Sequence, residues 1–273
     1  MQGTRRSAST LEALFSFLEV LFHSVVRAVR VQSGSAALGI LTVLFKIILM
    51  VAVFYLMFEF LGFRGSAIRG DFLLYLLSGV FLFLLHNAGM SAALAASNPV
   101  APLMMHAPMT TMLNILAATL SQLYVHTLAV MIILFFIHVK NGGLEIYDPI
   151  GVLSPFLLAW ALGVAIGLCL SALRPFFPQV MNITSILLMR TNMLTSGKFF
   201  VANALPSSLI IYFAWNPLFH CIDQARGALF VNYFPRNSSM DYPVKFLIAA
   251  TIIGLMAEFW LRKNVSQSTS ARR

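Results

Sequence analysis

The sequence predicts an all-α membrane protein with six transmembrane helices. Of its 273 residues, 59% are hydrophobic and only 10% are charged, and the apolar residues fall in long runs. Soluble globular chains carry about 25% charged residues, so this chain lacks the polar surface needed to face water on all sides. A helix that crosses a bilayer needs about 20 apolar residues. The segments that reach or approach this length are 37–61, 72–96, 111–138, 150–173, 179–200 and 244–262.

The amino-terminal segment 1–36 predicts an amphipathic helix that lies along the membrane surface. It lacks the short apolar core and small-residue cleavage site of a signal peptide. Its apolar residues lie on one side of the predicted helix, which suits burial in the interface. Its polar residues recur at spacings of three and four and form one stripe: Glu12, Ser16, Glu19, His23, Arg27 and Arg30.

The stretch 204–230 is apolar but contains residues that interrupt a transmembrane helix. Each of its halves is too short to span hydrocarbon, so it predicts an external re-entrant helical hairpin. Asn216 is expected to cap a helix whose first residue is Pro217. The interrupting residues are Pro206, Asn216, Pro217, Asp223 and Arg226.

Charge predicts the orientation. The chain has 18 Lys and Arg residues against 9 Asp and Glu, and basic residues gather in the amino-terminal segment and the tail 263–273. The positive-inside rule then places both termini in the cytoplasm, which requires an even number of crossings and agrees with six. Because the cations are not interleaved with aromatic residues, no nucleic-acid partner is expected.

The predicted cytoplasmic loop 97–110 carries no formal charge and contains several prolines and methionines. Met104, Met105 and Met109 would form a flexible apolar surface suited to a partner's groove. The alternative is that this segment lies in the lipid interface.

Few ionisable residues fall within the predicted spans, and Arg190 is the one nearest the middle of its segment. Glu59 and Glu258 lie near span ends, which is a poor supply of acids for a proton or cation relay. An ion-coupled secondary transporter that uses Glu59, His86 or Arg190 stays open as an alternative.

The external region is rich in aromatic residues, which form an interfacial belt or line a path for sugars. His220 and Asp223 could serve an intramembrane enzyme such as a lipid-sugar transferase. The sequence offers them neither a nucleophile nor a metal site, so the chain is not expected to be an enzyme. It also has no Gly-x-x-x-x-Gly-Lys-Ser/Thr motif, so it is not expected to hydrolyse ATP.

Three motifs carry a resemblance to a known family: Ser196-Gly197-Lys198-Phe199-Phe200, Leu205-Pro206, and Trp215-Asn216-Pro217-Leu218-Phe219-His220 continuing to Asp223 and Arg226. With the predicted helix order, they resemble the membrane subunits of ABC-2-type polysaccharide exporters, and capsular polysaccharide export permeases in particular. The chain departs from the family at Gln179, where an acidic residue is often found.

The resemblance implies a homodimeric permease of the bacterial inner membrane that moves polysaccharide or a lipid-linked glycan. A separate ATPase subunit would bind ATP and Mg, and periplasmic export components are further candidate partners. An ABC-2 exporter of another substrate is the closest alternative. Contact with the ATPase is expected from Asn98, Pro99, Pro102, Met104, Met105, His106 and Pro108. The channel and its external gate, within a transmembrane domain 37–262, are expected to use Phe199, Phe200, Tyr212, Trp215, Asn216, Pro217, His220, Asp223 and Arg226.

Overall fold

The computed structural model describes residues 10–60, 68, 70–96 and 111–270. Within these ranges the regular elements are helical, as predicted, which suits a chain in hydrocarbon because a helix satisfies its own backbone polar groups. The helices are α1 (Thr10–Ser33), α2 (Ala36–Phe60), α3 (Phe72–Ala96), α4 (Thr111–Asn141), α5 (Pro149–Leu173), α6 (Pro178–Thr195), α7 (Ser207–Ala214), α8 (Pro217–Leu229) and α9 (Asp241–Ser270), with a 3-10 turn at Ala202–Ala204.

In the described part of the chain, five helices are long and apolar enough to cross a membrane. Each coincides with a predicted span, and the ends differ by no more than three residues. The protein is therefore a multi-pass membrane protein. The five segments are Ala37–Phe60, Phe72–Ala96, Thr111–Asn141, Pro149–Leu173 and Asp241–Trp260.

The sixth predicted span corresponds to α6, which has 18 residues and does not meet the same criterion. Its predicted end at residue 200 is wrong, because the helix stops at Thr195 and the chain turns at Gly197 with a φ of +73°. The sixth crossing itself stays a prediction. Polar residues lower the hydrophobicity of α6: Gln179, Asn182, Thr184, Ser185, Arg190, Thr191 and Asn192.

α3 lies at the centre of the body and packs against α2, α4, α5 and α8. The contact with α5 is close because Gly163 and Gly167 face it. A Cβ added at Gly163 would collide with the His86 carbonyl oxygen, and one added at Gly167 would lie 2.5 Å from the Met90 carbonyl oxygen. Small residues four apart let two membrane helices approach at backbone distance. His86 Nδ1 donates to the Ala159 carbonyl oxygen at 2.9 Å and joins the same two helices.

The prediction of a helix in the amino-terminal segment is confirmed by α1. Most of the apolar face of α1 is not covered by the rest of the protein. Leu11, Phe15 and Phe22 are exposed, whereas Val29 near its end is buried in the core. An uncovered apolar face is what a helix lying in the interface requires. Its position on the membrane stays a prediction.

The predicted hairpin 204–230 contains two helices with different surroundings. α7 has no buried residue, whereas α8 is buried on most sides and packs against α3, α5 and α9. Its depth in the bilayer stays a prediction.

Candidate functional site

The candidate site is built around α8, and Asn216 fixes where this helix begins. Its Oδ1 accepts a hydrogen bond from the Leu218 N–H at 2.9 Å, and Pro217 occupies the first helical position, which confirms the predicted cap. Its Nδ2 donates to Asn192 Oδ1 at 3.1 Å and to Thr195 Oγ1 at 2.7 Å. One side chain therefore joins the start of α8 to the last turn of α6.

Arg226 holds the loop that follows α6. Its side chain is 1% exposed, and its Nη1 donates to the carbonyl oxygens of Gly197 at 2.9 Å and Phe200 at 2.7 Å. Its Nη2 donates to the Lys198 carbonyl oxygen at 2.8 Å. The guanidinium carbon lies 4.3 Å from the centre of the Tyr75 ring, a cation–π geometry. The fixed fork of an arginine allows one side chain to bind three carbonyls.

Two glycines allow the loop 196–200 to lie against α3. Gly197 has a φ of +73°, a left-handed conformation that costs a glycine little. A Cβ added at Gly79 would lie 2.7 Å from the Lys198 carbonyl oxygen and 2.9 Å from Arg226 Nη2. A larger residue at position 79 would therefore displace the loop and the guanidinium together.

The ammonium group of Lys198 lies among aromatic rings. Its Nζ is 3.2 Å from the ring centre of Phe83, 4.6 Å from that of Phe199 and 6.0 Å from that of Phe54. The side chain is 1% exposed, and Nζ has no hydrogen-bond partner among the described residues. Burial lowers the pKa of Lys198 to about 7, and the ring faces act in the opposite direction by favouring the ammonium. Lys198 was not predicted as a site residue. The sequence signal that could have identified it is a cation beside two phenylalanines in an apolar segment.

Asp223 connects α8 to the segment that precedes α9. The carboxylate is buried and accepts hydrogen bonds from Ser238 Oγ at 2.6 Å and from the Tyr233 hydroxyl. Gln224 Nε2 donates to the carbonyl oxygen and to Oγ of Ser238, both at 3.0 Å. Burial and the neighbouring carboxylate raise the pKa of Tyr233. The sequence did not point to Tyr233 or Ser238, because their link to Asp223 depends on the fold of the loop.

Both ring nitrogens of His220 are bound to backbone groups. Nε2 donates to the Ala214 carbonyl oxygen at 2.8 Å, and Nδ1 accepts from the Ser239 N–H at 3.1 Å. This pattern requires the neutral Nε2–H tautomer, and burial lowers the pKa of His220 in agreement with it. The arrangement leaves neither nitrogen free to act on a substrate.

The predicted channel residues fall into two groups. Tyr212 and Trp215 are 65% and 51% exposed, and Phe199 and Phe200 are half-buried. The polar residues of the second group bind groups of the protein itself. The five members of this group are all buried: Asn216, Pro217, His220, Asp223 and Arg226.

α6 presents an exposed face that contains the predicted intramembrane charge, Arg190. Met181 and Ser185 lie on its buried side. Seven exposed residues recur at helical spacing along this face: Gln179, Asn182, Ile183, Ile186, Leu187, Arg190 and Leu194.

The predicted ATPase-contacting residues Asn98, Pro99, Pro102, Met104, Met105, His106 and Pro108 lie outside the described residues. In the described ranges, no group of three or more His, Cys, Asp or Glu side chains could hold a metal ion.

Five membrane-length helices around a core with buried polar and charged side chains define a multi-pass membrane protein. The sequence profile of the ABC-2 type transporter family matches residues 19–230, and the chain belongs to that family. The match indicates the permease subunit of an ABC exporter, a class that usually pairs with an ATPase subunit. No curated protein matches the chain.

Proposed function

We propose that the chain exports polysaccharide as a homodimer whose channel lies between the protomers, driven by a separate ATPase. The exposed face of α6 carries this proposal. Arg190 lies on that face in a helix proposed as the sixth crossing, five residues or about 8 Å before the helix ends, and contact of its guanidinium with lipid tails is unfavourable. A second copy that encloses a water-containing path next to Arg190 removes this cost.

Polysaccharide is the proposed cargo because α7 carries exposed aromatic rings, and the predicted orientation puts α7 on the external side. Tyr212 and Trp215 present flat faces, on which the apolar C–H faces of sugars stack. The Trp215 indole Nε1 donates to the Tyr212 carbonyl oxygen at 2.8 Å, which fixes the orientation of its ring. In this proposal α7 and α8 form the external gate, and the polymer, growing or lipid-linked, passes between the two copies.

The energy is proposed to come from an ATPase that docks through the loop 97–110 on the cytoplasmic side. The full sequence contains no phosphate-binding Gly-x-x-x-x-Gly-Lys-Ser/Thr motif. With six crossings and the basic ends inside, both termini lie in the cytoplasm of a bacterial inner membrane. Robust ATP hydrolysis by the isolated chain would contradict this division of labour.

Cysteine cross-linking in membranes tests the dimer. In a background without Cys169 and Cys221, Ile186→Cys on the exposed face of α6 is expected to form a disulfide-linked dimer. Ile252→Cys on α9 is the matched control, because the two isoleucines are 55% and 53% exposed. Equal cross-linking at the two positions, or none at Ile186, would contradict a dimer formed through α6.

Surface polysaccharide, measured by gel electrophoresis in cells that also produce the ATPase, tests the cargo. The double substitution Tyr212→Ala, Trp215→Ala is expected to reduce the exported polymer. Phe259→Ala, which removes an exposed ring from α9, is expected to leave it unchanged. Normal export by the double variant would remove the aromatic support for polysaccharide.

A further inference from the structure

We propose that a polar pocket between α2, α3 and α4 binds the phosphorylated, hydroxyl-bearing head group of an anionic lipid. The pocket has a volume of about 400 Å³. Its polar lining comes from three helices: Lys46 on α2, Asn87 and Ser91 on α3, and Gln122 and His126 on α4. This site is separate from the α8 cluster and does not depend on the nature of the exported cargo.

The pocket exists because α3 presents small side chains to its neighbours. Ala88, Ser91, Ala92 and Ala95 all line it, and their spacing of three and four places them on one side of the helix. Larger side chains at these positions would fill the space between α2 and α4.

Asn87 brings an incompletely hydrogen-bonded amide to the lining of the pocket. Its side chain is 9% exposed, and its buried Oδ1 has no hydrogen-bond partner among the described residues. A buried amide oxygen without a donor destabilises the protein, and such groups are usually satisfied by protein, water or ligand. Once the amide turns toward the pocket, a hydroxyl group of a glycerol or sugar head group supplies the missing donor.

Lys46 provides the charge that selects a phosphate. It is the one formally charged residue among the residues that line the pocket, and no acidic side chain is among them. His126, which is buried, donates from Nδ1 to the Gln122 carbonyl oxygen at 2.9 Å, so its ring is held in place and Nε2 is directed away from that carbonyl. A cation within a membrane helix is expensive without a counter-charge, and a phosphate supplies one.

The depth of the pocket favours a lipid over a soluble phosphate. Lys46 lies ten residues into α2, about 15 Å along the helix, and Ser91 lies five residues before the end of α3, about 8 Å. Ser91 lies near the head groups of one leaflet, and the long side chain of Lys46 extends from deeper in the helix toward them, where anionic lipids attract lysine side chains. Val43 and Leu84 complete the lining and offer apolar contact to the start of the acyl chains.

Native mass spectrometry of the detergent-purified full chain tests the pocket. Phosphatidylglycerol is expected to bind in preference to phosphatidylcholine, and Lys46→Met is expected to weaken this binding about fivefold. Lys46→Arg should retain it. Lys140→Met is the control, because Lys140 lines a separate, mainly apolar groove. Ala88→Leu should fill the pocket and weaken binding without a change of charge.

Three results would overturn the proposal. The first is equal binding of the two lipids, and the second is an equal loss of phosphatidylglycerol in Lys46→Met and Lys140→Met. The third is displacement of the bound lipid by excess glycerol 3-phosphate. Displacement of the lipid would assign the pocket to a soluble polyol phosphate, whereas retention of the lipid supports the head-group site.

Discussion

Replacement of Arg226 by alanine is expected to destabilise the protein by about 3–5 kcal/mol. The change removes three hydrogen bonds of 2.7, 2.8 and 2.9 Å from a charged donor, together with the contact to the Tyr75 ring. A hydrogen bond to a charged group contributes about 1.5–3 kcal/mol, and a desolvated cation–π contact about 2 kcal/mol. The net loss is smaller than the sum because part of the loop 196–200 can bind water once it is released.

The apparent unfolding temperature of the detergent-purified chain measures this loss. For a protein of this size, about 3–5 kcal/mol corresponds to a decrease of roughly 6–20 °C. Arg226→Lys is expected to fall between the wild type and alanine, because an ammonium group lacks the fork that reaches three carbonyls.

Arg236→Ala is the matched control for the loss of one arginine. Arg236 is exposed, and the hydrogen bond to Asn203 Oδ1 comes from its backbone N–H, which the substitution keeps. Its effect is expected to stay within about 0.5 kcal/mol. If Arg226→Ala unfolded within about 2 °C of this control, the guanidinium would not be what holds the loop.

Three further substitutions test the packing, the cap and the buried lysine through the same unfolding measurement. Gly163→Ala places a Cβ against the His86 carbonyl oxygen and is expected to cost about 3 kcal/mol, whereas Gly143→Ala, with nothing within 4 Å of the added Cβ, should have little effect. Asn216→Ala removes the α8 cap and two hydrogen bonds to α6, and should cost about 2–4 kcal/mol. A variant as stable as the wild type would show that Asn216 neither caps α8 nor ties it to α6. Burial lowers the pKa of Lys198 from its ordinary 10.5 to about 7, so the unfolded chain binds more protons between these values and stability rises with pH. The unfolding temperature of the wild type minus that of Lys198→Met should therefore increase from pH 7 to pH 9, and a constant difference would contradict the buried-lysine account.

The transmembrane helices could be predicted from sequence because a helix surrounded by hydrocarbon must consist mainly of apolar residues. The run from residue 37 to 60 is almost wholly apolar, and only a membrane or a large core accommodates such a helix. The start of α8 could be predicted for a local reason, since Asn216 and Pro217 are adjacent in sequence and their roles depend on the first turn.

The roles of the polar residues on α8 could not be predicted in the same way. A polar residue in an apolar segment can face water or bind another buried group, and the sequence does not distinguish the two. Arg226 binds backbone carbonyls of the loop 196–200, and every residue type offers the same carbonyl acceptor. The contact between Lys198 and Phe83 joins distant parts of the chain. The end of α6, in contrast, could have been predicted from a local signal. A glycine directly after the last turn commonly ends a helix, and Gly197 occupies this position.

The contacts of α8 make it a supporting helix, so a cargo would have to bind other surfaces. α8 is tied to α6 by Asn216, to the loop 196–200 by Arg226 and to the segment before α9 by Asp223. Because these side chains already bind protein groups, they are poorly placed to recognise a passing polymer. The uncovered surfaces next to α8 are α7, with its exposed rings, and the face of α6 that carries Arg190. Under the proposed function, substitutions that change the cargo without loss of stability therefore belong on these two surfaces, whereas substitutions of the three tying residues affect stability first.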